Sequence, residues 1–146
     1  MSIILVLSGP NLNLLGEREP TIYGSSTLAE CVADATAAAE ARGHTVEHVQ
    51  SNHEGDLVDA IHAARGRCVA IVVNPGAFSH YSYAIADALA TFDSVKVELH
   101  LSNPSAREEW RRHSVTAPYV TGVVSGFGRT GYRLAVDAAC TTLDTT

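Results

Sequence analysis

Five short runs of β-branched and leucine residues alternate with five stretches of helical spacing, and few folds accommodate that order. Ile3-Ile4-Leu5-Val6-Leu7 is apolar without interruption until Gly9-Pro10 ends it, which is how a strand buried on both faces reads. A first helix is expected from Thr27, where Glu30 three residues on completes a capping-box pattern, to near Gly43, a favoured stop. The pattern then predicts a strand over Thr45 to Gln50 and a helix over Gly55 to Ala64, with Leu57, Val58 and Ile61 on one face. A third strand, Cys68 to Val73, is cut off by Asn74-Pro75-Gly76, and a helix runs from Ser82 to Leu89. A fourth strand covers Val95 to Leu101, and a short helix after Pro104 carries Arg107, Arg111 and Arg112. The fifth strand is Tyr119 to Val124, and the last helix follows Gly128 to about Leu143.

Repeated β-α units require a parallel sheet with helices on both faces. Right-handed crossovers reduce the topology to an α/β, flavodoxin-like, doubly wound five-stranded parallel sheet in three α/β/α layers. The 146 residues, 46% of them hydrophobic, suit one core, and no repeat, linker or low-complexity tract divides them, so residues 1–146 are read as a single catalytic domain. A net charge of −6, with no basic run, argues against nucleic acid or an acidic membrane as partner. Cys31, Cys68 and Cys140 are odd in number and far apart, which fits reduced thiols in the cytoplasm. Ile3 to Leu7 lacks the basic flank of a signal peptide, and no apolar stretch approaches the length of a membrane span.

From Gly9 to Ser26 there is no apolar periodicity. A loop of that length in a compact domain is commonly a lid over an active site, and it leaves the carboxyl end of the first strand, where open parallel sheets bind ligands. Every strand-to-helix loop opens on that same edge. Asn11, Arg18 and Tyr23 follow the first strand, and Ser51, Asn52, His53 and Glu54 the second. Asn74, Ser79 and His80 follow the third, and His100, Ser102, Asn103 and Arg111 lie at or beyond the end of the fourth. Singly, each has a bland reading as surface, turn or core-edge residue; their shared address is what points to a site.

Tyrosine is a useful base near neutrality only beside cations, and Arg18 stands five residues before Tyr23. A histidine can protonate a departing hydroxyl, and the two-residue spacing of Glu98 and His100 on a strand puts them on one face, able to pair. Asparagines can hold an enolate or a carboxylate with neutral hydrogen bonds. Such a set suits proton abstraction beside a ketone, followed by loss of a hydroxyl.

Other motifs point elsewhere and are set aside. Gly126-Phe127-Gly128-Arg129-Thr130-Gly131 has the dinucleotide spacing, but it follows the last strand and no acidic residue lies about twenty positions on. Lys96, the one lysine, falls near the start of the fourth strand, away from the active edge, which disfavours an imine. No His-x-x-x-His pair flanks a glutamate on a helix, so no metal is expected. A metal-assisted hydrolase built on His53, His80 and His100, and a non-catalytic flavodoxin-like binding module, remain the alternatives.

The first long block, Gly9-Pro10-Asn11-Leu12-Asn13-Leu14-Leu15-Gly16 with Arg18-Glu19-Pro20 and Tyr23-Gly24, resembles the signature of type II 3-dehydroquinate dehydratases. Gln50-Ser51-Asn52-His53-Glu54-Gly55, Asn74-Pro75-Gly76-Ala77 with His80, Glu98-Leu99-His100-Leu101-Ser102-Asn103, Arg107-Glu108-Glu109 with Arg111 and His113, and Gly126-Phe127-Gly128 with Gly131-Tyr132 follow in the family's order. Phe78, where tyrosine is frequent in relatives, and Tyr81 lie in a variable stretch. The resemblance implies a cofactor-free lyase converting 3-dehydroquinate to 3-dehydroshikimate by anti elimination through an enolate, in the shikimate pathway or in quinate catabolism. It implies Tyr23 as base, kept ionised near Arg18, and Asn11 stabilising the enolate through a held water. His100 would protonate the leaving hydroxyl with Glu98 as its partner. Asn74, Ser102 and the Leu101 amide would bind the carboxylate, and His80 and Arg111 the ring hydroxyls. Asp87 would come from a neighbouring subunit, in trimers assembled into a dodecamer.

Overall fold

The computed structural model describes residues 1–145. Strand β1 (Ser2–Ser8) leads into the long loop, which holds a 3-10 turn (Leu12–Leu14) and a one-turn helix α1 (Pro20–Tyr23). There follow α2 (Leu28–Glu40), β2 (His44–Gln50), α3 (Glu54–Ala64), β3 (Cys68–Asn74), α4 (Tyr83–Ala90), β4 (Val95–His100), β5 (Gly122–Ser125) and α5 (Thr130–Asp144). All five strands are parallel, in the order β2-β1-β3-β4-β5. This is the flavodoxin-like arrangement expected from the alternation of strands and helices.

Strand alternation divides the core between the two faces of the sheet. Ile4, Val6, Ala70, Val72, Val97 and Leu99 pack with Ala35 and Ala39 of α2 and Tyr132, Ala135 and Val136 of α5. Leu5, Leu7, Ile71 and Val73 pack with Leu57 and Ile61 of α3 and Ile85 and Leu89 of α4. The capping box at Thr27 forms as expected: Glu30 N–H donates to the Thr27 hydroxyl, and the Glu30 carboxylate accepts from Thr27 N–H at 3.1 Å. A cap of this kind stabilises a helix by about 1 kcal/mol. Among the described residues, no helix is long and apolar enough to cross a membrane.

Two expected elements differ. The segment after Pro104 is not a helix but two 3-10 turns, Pro104–Ala106 and Glu109–Arg111, with Arg107 between them. Asn103 accepts from Ser105 N–H and begins the first turn, and the extended backbone of Arg107 breaks the path to the second. The fifth strand starts at Gly122 rather than Tyr119, because Ala117–Tyr119 forms a 3-10 turn whose Pro118 cannot donate to a ladder.

The loops after β1 and β3 lie against each other. Gly9 N–H donates to Asn74 O at 2.8 Å. A Cβ on Gly9 would stand 2.5 Å from Pro75 O, and one on Gly76, whose φ is +57°, would meet Pro10. Gly9 is therefore required by close backbone approach, and Gly76 is favoured by its positive φ. Gly9→Ala should destabilise the fold by about 1–3 kcal/mol through forced backbone displacement. Urea unfolding monitored by circular dichroism reads this directly, and an unchanged midpoint would contradict the close contact.

Candidate active site

At the carboxyl edge of the sheet a cleft opens between the loops after β1, β3 and β4. Its lining includes Asn11, Arg18, Tyr23, Asn74, His80, His100, Leu101, Ser102 and Arg111, together with Arg107. Of the residues to which the resemblance gives a role, Glu98 and Asp87 do not line it, and Asn52, Ser79 and Asn103 stay outside as well. Glu98 lies behind His100, in an adjoining recess that His80, His100 and Arg111 also border. Asp87 is exposed on α4, outside the cleft of its own chain. Ser51, His53 and Glu54 also stay outside: Ser51 donates to Asp56 at 2.6 Å and its hydroxyl accepts from His53 N–H, while Glu54 accepts from Ser82 at 2.5 Å. Lys96 is at the far end of β4, donating to the carbonyls of Leu89 and Phe92.

Tyr23 ends α1 and packs against the apolar core, yet its phenol reaches the cleft. Two guanidinium groups face it. Arg18 Cζ lies 4.7 Å from the ring centroid and Arg107 Cζ 5.0 Å, within the range of cation–π attraction. Arg107 goes further and donates from Nη1 to the phenol oxygen at 2.6 Å and to Ser102 Oγ at 3.3 Å. Sequence reasoning chose Arg18 by its nearness in the chain and gave Arg107 no role, since 84 positions separate it from Tyr23. The surviving signal was the Arg107-Glu108-Glu109 block itself. Tyr132, the other tyrosine near this end of the sheet, is sealed in the core, where burial pushes its phenol up to about 12 and Ser8 holds its hydroxyl at 3.0 Å.

Glu98 and His100 pair as their spacing on β4 allows: Nε2 of His100 meets Oε2 of Glu98 at 2.8 Å. Only 1% of Glu98 is exposed, so burial raises its pKa. Hydrogen bonds from His100, Thr116 and Ser114 outweigh that and hold the carboxyl below its ordinary value of 4.5. The carboxylate is thus buried charged because its oxygens are satisfied. With Nε2 engaged, Nδ1 is the nitrogen His100 offers to a ligand.

His80 is fixed differently. Its Nδ1 donates to the His113 carbonyl at 2.8 Å, and its ring meets Trp110 edge-on at 5.2 Å. Burial pushes its pKa below the ordinary histidine value; the carbonyl of His113 opposes this, and the charges of His100 and Arg111 add to it. Arg111 lies over Trp110 at 4.0 Å and is held by Glu108 at 2.8 Å. Among the described residues, no three His, Cys, Asp or Glu side chains converge to hold a metal ion. The cleft combines a phenol under two positive charges, a carboxylate-backed histidine and several neutral donors, an arrangement that can take a proton from one side of a ligand and give one back on the other.

Comparison with known proteins agrees with this chemistry. The family model for class II dehydroquinases matches residues 2–140. The chain is 52% identical, over 93% of its length and 94% of the relative's, to a 3-dehydroquinate dehydratase of Halalkalibacterium halodurans. It is 55% identical to catabolic 3-dehydroquinase 1 of Aspergillus terreus, over 92% of this chain and 88% of that one. The crystal structure of a type II dehydroquinase from Propionibacterium acnes superposes with a TM-score of 0.92 at 43% identity, covering 97% of each chain.

The depressed pKa of Glu98 has a consequence for stability. A carboxyl whose folded pKa lies below its unfolded one stabilises the fold above the unfolded value, and that contribution is lost as pH falls through the folded value. The stability gap between the parent chain and Glu98→Gln should therefore be widest near neutrality and narrow as the pH is taken below 4.5. Urea midpoints of both proteins across that interval test this, and a gap independent of pH would count against an ionised Glu98 in the folded chain.

Proposed function

The chain belongs to the class II dehydroquinase family, and from that premise we propose how its cleft carries out the family's reaction, the dehydration of 3-dehydroquinate to 3-dehydroshikimate. The observation that carries the mechanism is the phenol of Tyr23 set against two guanidinium groups, across a cleft shared with the Glu98–His100 pair.

Tyr23 acts as the base. It takes the proton from the carbon beside the substrate ketone, and the electron pair moves onto the ketone oxygen as an enolate. Arg107 and Arg18 place positive charge where the phenol oxygen must carry a negative one, and Arg107 fixes that oxygen in direction as well. Asn11 steadies the enolate through a held water. The enolate then collapses: the carbon–carbon double bond forms and the carbon–oxygen bond to the hydroxyl breaks, on the face opposite the abstracted proton. His100 supplies the proton that turns that hydroxyl into water, from Nδ1, while Glu98 holds Nε2 and balances the charge of the imidazolium. Asn74, Ser102 and the Leu101 backbone bind the substrate carboxylate, and His80 and Arg111 bind the ring hydroxyls. A neutral His80 suits hydrogen bonding to hydroxyls.

The expected assembly is a set of trimers built into a dodecamer, and Asp87 serves a neighbour's cleft. Its exposed place on α4, away from its own cleft, supports that reading. The three unpaired, buried cysteines support a reducing compartment, the cytoplasm. The relatives include catabolic enzymes and others named only for the dehydration, so the same chemistry fits aromatic biosynthesis or quinate breakdown.

The purified chain should turn over 3-dehydroquinate, followed by the ultraviolet absorbance of the conjugated enone, undisturbed by chelator or borohydride. Tyr23→Phe should still bind substrate and lose most turnover. Arg107→Leu should lower kcat by roughly 10²-fold, the scale of removing one donor from a developing oxyanion. Near-normal kcat in Tyr23→Phe would remove Tyr23 as the base, and near-normal kcat in Arg107→Leu would remove Arg107 as its support. Sedimentation with parallel assays addresses Asp87: its role requires an oligomer, and a fully active monomer would rule out any contribution across subunits.

A further inference from the structure

Asn11 occupies a backbone conformation its type rarely adopts. Its φ is +67° and its ψ −3°, in the left-handed region, and apart from glycines it shares a positive φ only with Glu19 among the described residues. Asparagine tolerates this region better than most residues, but nothing in Asn11 itself selects it over the ordinary helical one. The segment at the exit of β2 contributes no residue to the lining of the cleft, yet it is hydrogen-bonded to this turn.

Two side chains at the exit of β2 reach across to this turn. Asn52 Oδ1 accepts from Asn11 N–H at 3.0 Å and from Gln50 Nε2 at 3.2 Å. Gln50 Nε2 also donates to Gly9 O at 3.1 Å. The orientation of both amides is settled by their surroundings. Asn52 faces two donors, so only its oxygen fits there; Gln50 faces two acceptors, so only its nitrogen does. An unbroken chain of hydrogen bonds thus runs from the Gly9 carbonyl through both side chains to the Asn11 amide, bracketing Pro10. On its other side Asn11 O accepts from Leu14 N–H at 3.0 Å. With its backbone donor and acceptor both taken, Asn11 keeps only its side chain for the cleft.

We propose that Asn52, braced by Gln50, is a positioning residue for the reaction: it locks the Gly9-Pro10-Asn11 turn so that the Asn11 side chain meets the substrate's developing enolate. The proposal rests on the role given to Asn11 in the proposed function. Asn52 is exposed and does not line the cleft, so it acts through Asn11 and not on substrate. A lapse in this turn moves a group needed in the transition state while leaving carboxylate and hydroxyl binding intact. The loss therefore falls on kcat rather than KM.

Steady-state kinetics of four variants, three single and one double, test this, with circular dichroism confirming the fold of each. Asn52→Ala should lower kcat roughly tenfold or more, as misplacement of a reacting group does, and leave KM within about twofold. Asn52→Asp keeps an oxygen acceptor facing the Asn11 amide and should retain kcat within roughly threefold of the parent chain. Asn11→Gly keeps the left-handed backbone and removes the amide side chain. In that background, adding Asn52→Ala should cost less than about twofold more, since coupled residues are non-additive. A parent-like kcat for Asn52→Ala, equal impairment of the Ala and Asp variants, or a full additional loss in the Asn11→Gly background would each overturn the proposal. The two readings fail separately: an unsubstituted chain inert toward 3-dehydroquinate overturns the functional reading, whereas an active chain indifferent to Asn52 overturns only this one.

Discussion

The cleft exists because two backbones touch. The β2-β1-β3-β4-β5 order places the switch in direction between β1 and β3, and there the Gly9 amide donates to the Asn74 carbonyl at 2.8 Å. Open parallel sheets bind ligands at such a point because the adjacent loops depart to opposite sides and leave a crevice. Here the two loops are held close, since Gly9 lies on Pro75 with no room for a side chain and Gly76 lies tightly on Pro10. The loop carrying Arg18 and Tyr23 leaves from one side of that contact and the Asn74 side chain from the other.

On this scaffold charge is distributed by solvation. Glu98 is nearly inaccessible and still ionised in character, because three side chains donate to it. Arg107 is largely covered and directs its Nη1 to the Tyr23 phenol, while its Nε, buried without a hydrogen-bond partner, has the Glu108 carboxylate at 3.8 Å. In a medium of low dielectric such pairs act more strongly than their surface counterparts. The exposed Arg129, held by Asp34 and Glu30, belongs to the second kind and fastens the start of α5 to α2.

Much of this was legible in the sequence, and what was not has a physical reason. The uninterrupted apolar runs of β1 and β3 announced strands buried on both faces, and the sheet puts them at its centre. Thr27 and Glu30 marked the start of α2 because the capping box is a local interaction. The pairing of Glu98 with His100 follows from strand periodicity alone. Arg107 escaped because its partner lies in another loop, and chain distance says nothing about contacts made across a sheet edge. A short helix is expected after Pro104, whereas the Asn103 cap and the extended Arg107 backbone break that segment into separate turns. Likewise the sequence shows Gln50 only as the last residue of a strand and Asn52 only as a polar residue after it; that they hold another loop's backbone depends on the register of β2 against β1.

A residue just behind the lining has a use beyond catalysis. Trp110 is the only tryptophan of the chain, and its indole touches two residues of the cleft, His80 at its edge and Arg111 on its face. Indole emission responds to the charge and polarity of its immediate neighbours, and both neighbours line the cleft. The molecule thus carries a single built-in optical gauge of cleft occupancy, read without a label and without turnover.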